Sequence, residues 1–180
     1  RPGGGGVTAT GLGTKTLTLE GSTTGTGQIS GVIANNSTTN RTVVLKQGTG
    51  TWILSGANTY TGGTTLAQGT LVLGGTSALG GGSLTLNDGV TLDANTPLVF
   101  PAMNEIWAGS FTFLGSNPLD ISAGSSSLTA NSTVTVAAGT MTVGNLNGAF
   151  LLGKDGPGTL VLAGTNNFAG PLNVLAGTLG

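Results

Sequence analysis

Residues 46–71, KQGTGTWILSGANTYTGGTTLAQGTL, and residues 154–179, KDGPGTLVLAGTNNFAGPLNVLAGTL, align without a gap and are identical at 11 of 26 positions. The identities are Lys46/Lys154, Gly48/Gly156, Gly50/Gly158, Thr51/Thr159, Leu54/Leu162, Gly56/Gly164, Asn58/Asn166, Gly62/Gly170, Gly69/Gly177, Thr70/Thr178 and Leu71/Leu179. Trp52/Leu160, Ile53/Val161, Tyr60/Phe168 and Leu66/Val174 keep their character. Strand, corner, strand, corner recurs at a fixed spacing. That is the mark of a solenoid, in which each coil buries its apolar edge against the next.

The same short words run through the rest of the chain. Thr-Leu-Thr-Leu (16–19), Thr-Val-Val-Leu (42–45), Ser-Leu-Thr-Leu (83–86), Phe-Thr-Phe (111–113), Thr-Val-Thr-Val (133–136) and Met-Thr-Val (141–143) are strands closed by Gly, Asn or Ser. Alternation sends Leu17, Leu19, Trp52, Leu54, Leu71, Leu73, Leu84, Leu86, Val134, Val136, Leu160 and Leu162 inward and the threonines between them outward. No window shows apolar residues at helical spacing. The predicted fold is all-β, a parallel β-solenoid spanning 1–180 as a single unit.

Composition removes most chemistries. Of 180 residues only 6% are charged, against about 25% in an ordinary soluble domain. Five basic and six acidic side chains give a net charge of −1, and the basic ones are scattered, so nucleic acid is not an expected partner. Without His or Cys there is no imidazole or thiolate metal site, no disulfide, and no Cys or His nucleophile–base pair. No apolar run reaches the ~18 residues of a membrane helix, and no signal peptide is recognisable. The chain opens Arg-Pro-Gly-Gly and stops inside an apparent repeat, so an internal piece of something longer is expected. Glycine supplies 35 positions and threonine 31, yet glycine has no period of three. A 37% hydrophobic fraction in alternating runs predicts folding, not disorder.

The glycines and asparagines then have a task. A coil of about three short strands turns sharply several times, and small corner residues let coils approach to the ~4.8 Å strand spacing. At about 20–30 residues per coil the chain makes roughly seven coils, a rod of ~30–40 Å. Stacked positions form ladders, so Asn58 and Asn166 are expected to hydrogen-bond along a corner, with Tyr60 and Phe168 covering the interior nearby.

The two 26-residue segments resemble the autotransporter-associated β-strand repeat, G-x-G-T-L-x-L-x-G-x-N-x-[YF]-x-G-x-x-x-[VIL]-x-x-G-T-L. They depart from it at Trp52, where Leu is usual, and at Pro171. Ile29–Ile33, residues 78–86 and residues 107–113 are similar to flanking text in that family. The resemblance implies a right-handed parallel β-helix from the passenger region of a bacterial autotransporter or related large surface protein. A cysteine-free chain suits export through the oxidising periplasm. The implied role is a non-enzymatic stalk or scaffold at the bacterial cell surface or outside the cell. Contact with a host surface or glycan is a further expectation, and its open end coils are expected to self-associate end to end or laterally, as in fibres.

Candidate sites are weak. Gly75-Thr76-Ser77-Ala78 resembles the surroundings of a subtilisin-type nucleophile, but a general base is lacking. Asp88 and Asp93 are close enough in sequence for a carboxylate pair or a calcium site, although Asn87-Asp88-Gly89 reads first as a turn. Glu20, Glu105, Asp120 and Asp155 complete the carboxylates, too dispersed for a polysaccharide-lyase cleft. Gly48-Thr-Gly50 and residues 11–16 are not phosphate loops, and Gly80-Gly81-Gly82 lacks the Asp of a calcium nonapeptide. Trp52 reads as core; Trp107 lies in 97–120, where Pro97, Pro101 and Pro118 predict a bulge or loop leaving the regular coil. Outward Thr16/Thr18, Thr133/Thr135 and Thr140/Thr142 fit the Thr-x-Thr array of an ice- or carbohydrate-binding face, but Ile53 and Val72 interrupt it. No catalytic residue, cofactor or metal ligand is assigned.

Overall fold

The computed structural model of the chain describes residues 6–22 and 24–180. Every regular element among them is a short strand, and every strand pairing is parallel. The strands stack into three faces of a rod. The first face holds Lys15–Leu19, Thr42–Lys46, Thr64–Leu66, Leu84–Leu86, Asn104–Trp107, Ser125–Leu128, Leu146–Gly148 and Asn167–Phe168. The second holds Thr26–Ile29, Thr51–Leu54, Thr70–Leu73, Val90–Ala94, Phe111–Phe113, Ser132–Val136, Leu152–Asp155 and Leu172–Val174. The third carries Val7–Thr8 paired with Ile33–Ala34, then Leu98–Val99, Leu119–Ile121, Thr140–Val143, Thr159–Leu162 and Thr178–Leu179. Eight strands at the ~4.8 Å spacing give a rod of about 34 Å.

Parallel register puts inward residues in columns. On the first face the column runs Leu19, Lys46, Leu66, Leu86, Trp107, Leu128. On the second it runs Trp52, Leu71, Leu92, Phe113, Val136, and on the third Leu98, Leu119, Met141, Leu160, Leu179. All twelve residues expected to face inward do so: nine are buried, and Leu17, Trp52 and Leu162 are partly buried against the core. Each fully buried leucine contributes about 1.5–3 kcal/mol relative to exposure. Trp107 meets Phe111 edge to face, ring centres 5.2 Å apart, tying the first face to the second.

The coil length varies. Thr26, Thr51, Thr70, Thr91, Thr112, Thr135 and Asp155 stack one above another, so successive coils take 25, 19, 21, 21, 23 and 20 residues, the differences between those numbers. Five coils beyond Thr51 the stack therefore reaches Asp155, 104 residues on, whereas the sequence repeat is offset by 108 (154 − 46). As a result the two copies do not sit on the same faces. Thr42–Lys46 lies on the first face and its counterpart Leu152–Asp155 on the second; Thr51–Leu54 lies on the second and Thr159–Leu162 on the third. The second copy is rotated by one face relative to the first. A strand–corner–strand unit is indifferent to which of three similar faces it starts from.

Residues 97–120 run within the coil. Leu98–Val99, Asn104–Trp107 and Phe111–Phe113 each pair in register with a neighbouring coil, and Pro97, Pro101 and Pro118 fall outside the strands. Glycine sets how closely coils approach. At Gly124 an added Cβ would lie 1.5 Å from the Met103 carbonyl oxygen of the coil before it, a position only glycine fills.

Candidate functional site

The two lysines of the repeat, which resemble surface residues at strand ends, lie inside the rod. Lys46 is fully buried, and its Nζ donates to the carbonyl oxygens of Gln47 (3.2 Å), Gly48 (2.6 Å) and Gln68 (2.9 Å). Lys154, equally buried, donates to Asp155 (2.7 Å), Gly156 (2.8 Å) and Ala176 (3.1 Å), the same offsets along the chain. Each ammonium thus spends its three protons on backbone carbonyls, two from its own corner and one from the next coil. The carbonyls crowd so closely that the corner above must be glycine. Gly69 has φ +71, and a Cβ there would lie 2.5 Å from the Gly48 oxygen and 2.8 Å from Lys46 Nζ. Burial lowers the pKa of both lysines, with the charge of Asp155 opposing the shift at Lys154. The Lys46/Lys154 identity was the available sequence signal, but nothing in it showed that the side chain turns inward.

Asparagine stitches a second corner. Asn58 Oδ1 accepts from the Ile33 amide of the coil before (2.8 Å), and its Nδ2 donates to the Ala78 carbonyl of the coil after (2.7 Å). Asn166 accepts from the Leu146 amide (2.9 Å) and donates to Leu162 of its own coil (3.0 Å). Beside Asn58, Tyr60 is fully buried with its hydroxyl bonded to Thr64 Oγ1 (2.5 Å), and burial pushes its pKa up to about 12.

The carboxylates are dispersed. Asp88 sits in a turn with Gly89 and accepts from the Ser110 amide (2.9 Å) one coil on, whereas Asp93 accepts from the amide and hydroxyl of Ser116 (3.1 and 2.6 Å). The two carboxylates face different partners. Among the described residues no group of three or more His, Cys, Asp or Glu is placed to hold a metal ion. Ser77 lies in a turn whose amides close on Gly75 and Ser77 carbonyls. Glu105 is the surprise. It points into the interior with no exposed surface, Oε2 accepting from Ser126 Oγ (2.6 Å) and Oε1 without a partner. The Nε1 of Trp107, two residues on, is also buried and unpartnered. Desolvation pushes the Glu105 pKa up to about 7 against the Ser126 bond, which lowers it.

Outside, the second face carries one uninterrupted threonine column, Thr26 to Thr135, six coils long and ended by Asp155. The column two residues along is Gln28, Ile53, Val72, Asp93, so a double Thr-x-Thr array is not formed. Unequal coil lengths hid the single column from any fixed-period reading. Trp52 is half-buried against the core, with Nε1 donating to the Glu20 carbonyl (2.8 Å). Where the first face turns into the second, an open groove of about 720 Å³ runs past Glu20, Gln47, Gln68 and Asn87.

The family of the passenger-associated-transport-repeat matches the chain twice, at residues 44–73 and 152–180. These are the stretches whose lysine, glycine and asparagine corners recur. No curated protein and no solved structure matches the chain.

Proposed function

From two copies of a passenger-associated transport repeat built into one continuous rod, we propose that this chain is a structural scaffold of an exported bacterial surface protein, holding other parts of the molecule away from the cell. The observation that supports this best is the unbroken parallel ladder. The first and second faces each keep eight paired strands, while the interior is filled with apolar columns and clasped corners. Such a rod resists bending and proteolysis because its backbone amides are paired along the axis. The role is mechanical.

The last coil leaves Leu172, Val174 and Leu175 exposed, and its strands end their sheets. We propose that copies of the chain associate through this exposed apolar surface, which is the adhesive and fibre-forming part of the proposal. Two experiments test the reading. Antibody raised against the chain should label intact, unpermeabilised cells of the source organism, and labelling only after lysis would refute it. Sedimentation velocity should show concentration-dependent association, lost when Leu175 and Val174 become Lys; a monomer at all concentrations would refute the self-association.

A further inference from the structure

We infer that the corner between the first and second faces binds a neutral, unbranched polysaccharide lying along the rod axis, a role separate from the scaffold. The backbone bonds Gln47 N to Leu19 O (2.9 Å), Ala67 N to Lys46 O (2.8 Å) and Asn87 N to Leu66 O (3.1 Å) stack Glu20, Gln47, Ala67 and Asn87 directly above one another. Gln68 stands beside Ala67 in the same groove. Along this corner the Gln47 amide donates to the Glu20 carboxylate, while the amides of Gln68 and Asn87 stand free on the next two coils, at the ~4.8 Å rise of the rod. A smaller hollow of about 240 Å³ shares Glu20 and Gly21 with the groove and reaches Thr26 and Thr51 at the foot of the threonine column.

This surface selects its ligand by chemistry. Amides and carboxylates hydrogen-bond vicinal hydroxyls two at a time, and threonine methyls pack on the C–H face of a sugar. The repeat along the groove matches a ligand that repeats along its own length, on a scale comparable to one pyranose per coil. Among the described residues no Lys or Arg lines the groove, and the Lys46 ammonium beneath it is spent on the Gly48 and Gln68 carbonyls and offset by Glu20, so sulfated, phosphorylated or uronate chains find no free cation to pair with. A peptide would need a free strand edge or an apolar pocket, whereas the groove offers side-chain amides. The side chains of Gln68 and Asn87 make no hydrogen bond within the rod among the described residues, so both are free to turn to a ligand.

Affinity electrophoresis of the 180-residue chain tests this, in native gels containing hydroxyethyl cellulose, xylan or carboxymethyl cellulose. At least one of the two neutral polymers should retard the chain, and the anionic one less. Gln68→Ala and Asn87→Ala should each weaken binding about ten-fold, equivalent to ~1.4 kcal/mol. A Thr140→Ala/Thr159→Ala variant on the third face should bind like the parent. Circular dichroism melts identify the folded variants, and Gln68, being exposed, keeps the test valid even if Asn87→Ala unfolds. Absence of retardation by both neutral polymers would overturn the inference. So would unchanged binding by folded Gln68→Ala, or equal loss in the third-face variant.

Discussion

Replacing Lys46 by Met tests whether the buried ammonium holds the coils together. Methionine keeps the length and most of the volume of the side chain, so no large cavity forms. What disappears is the set of three bonds to the Gln47, Gly48 and Gln68 carbonyls. Hydrogen bonds to a charged group contribute about 1.5–3 kcal/mol each, so three amount to roughly 4–9 kcal/mol. Against this, the native state no longer desolvates an ammonium, which returns several kcal/mol. The corner also borders the open groove, so water reaches some of the freed carbonyls. The balance is a loss of about 2–4 kcal/mol, which for a chain of this size lowers Tm by roughly 5–15 °C. Urea melts followed by circular dichroism measure it, and amide exchange should quicken first at Ala67 and Thr70, whose amides bond carbonyls around this corner. Lys154→Met should cost less, because its clasp closes on the more exposed coil ending at Leu179. If Lys46→Met equals or exceeds the parent in stability, the ammonium is a burden carried by the repeat, and the clasp argument fails.

Glu105 makes stability depend on pH. Below about pH 4.5 folded and unfolded chains both carry its proton; from there to about 7 only the folded chain keeps it, so stability falls as pH rises and levels off about 3 kcal/mol lower. Urea midpoints between pH 4 and 8 should show this slope in the parent and lose it in Glu105→Gln; an unchanged slope in the variant refutes the assignment. Asn58→Ala strands the Ile33 amide and the Ala78 carbonyl and should cost about 2–3 kcal/mol in a denaturant melt, more than Asn166→Ala on its half-buried corner. Gly89→Ala meets nothing within 4 Å but sits at φ +74, so it should cost only about 1–2 kcal/mol of backbone strain. Gly124→Ala has no positive φ and forces two coils apart, which should cost about 2–4 kcal/mol; a smaller loss there than at Gly89 would show that coil spacing is not the constraint.

Much of the architecture follows from local chemistry and was readable in advance. Alternating words such as Thr-Leu-Val-Leu at 70–73 specify a strand and the side that faces in, because side-chain direction has period two whatever surrounds it. Glycine and asparagine at fixed steps specify the corners, and the absence of His and Cys removes whole classes of chemistry. The candidate surface was less legible. The threonine column from Thr26 to Thr135 skips 19 to 25 residues at each step, and the groove residues Glu20, Gln47, Gln68 and Asn87 share no motif.

Proline at 97, 101 and 118 pointed to a break in the coil, yet each falls outside the strands and the ladders continue. What the amino-acid order determined by itself was the strand, its inward face and the turn after it, since these depend on neighbours a few residues away. Which strand stacks on which was decided only by the folded rod, because register depends on the summed length of three corners per coil. That sum rotates the second repeat copy by one face. Only the stacked coils surround the inward-facing Lys46 and Glu105 as they are, with carbonyls gathered around the ammonium and one carboxylate oxygen left without a partner.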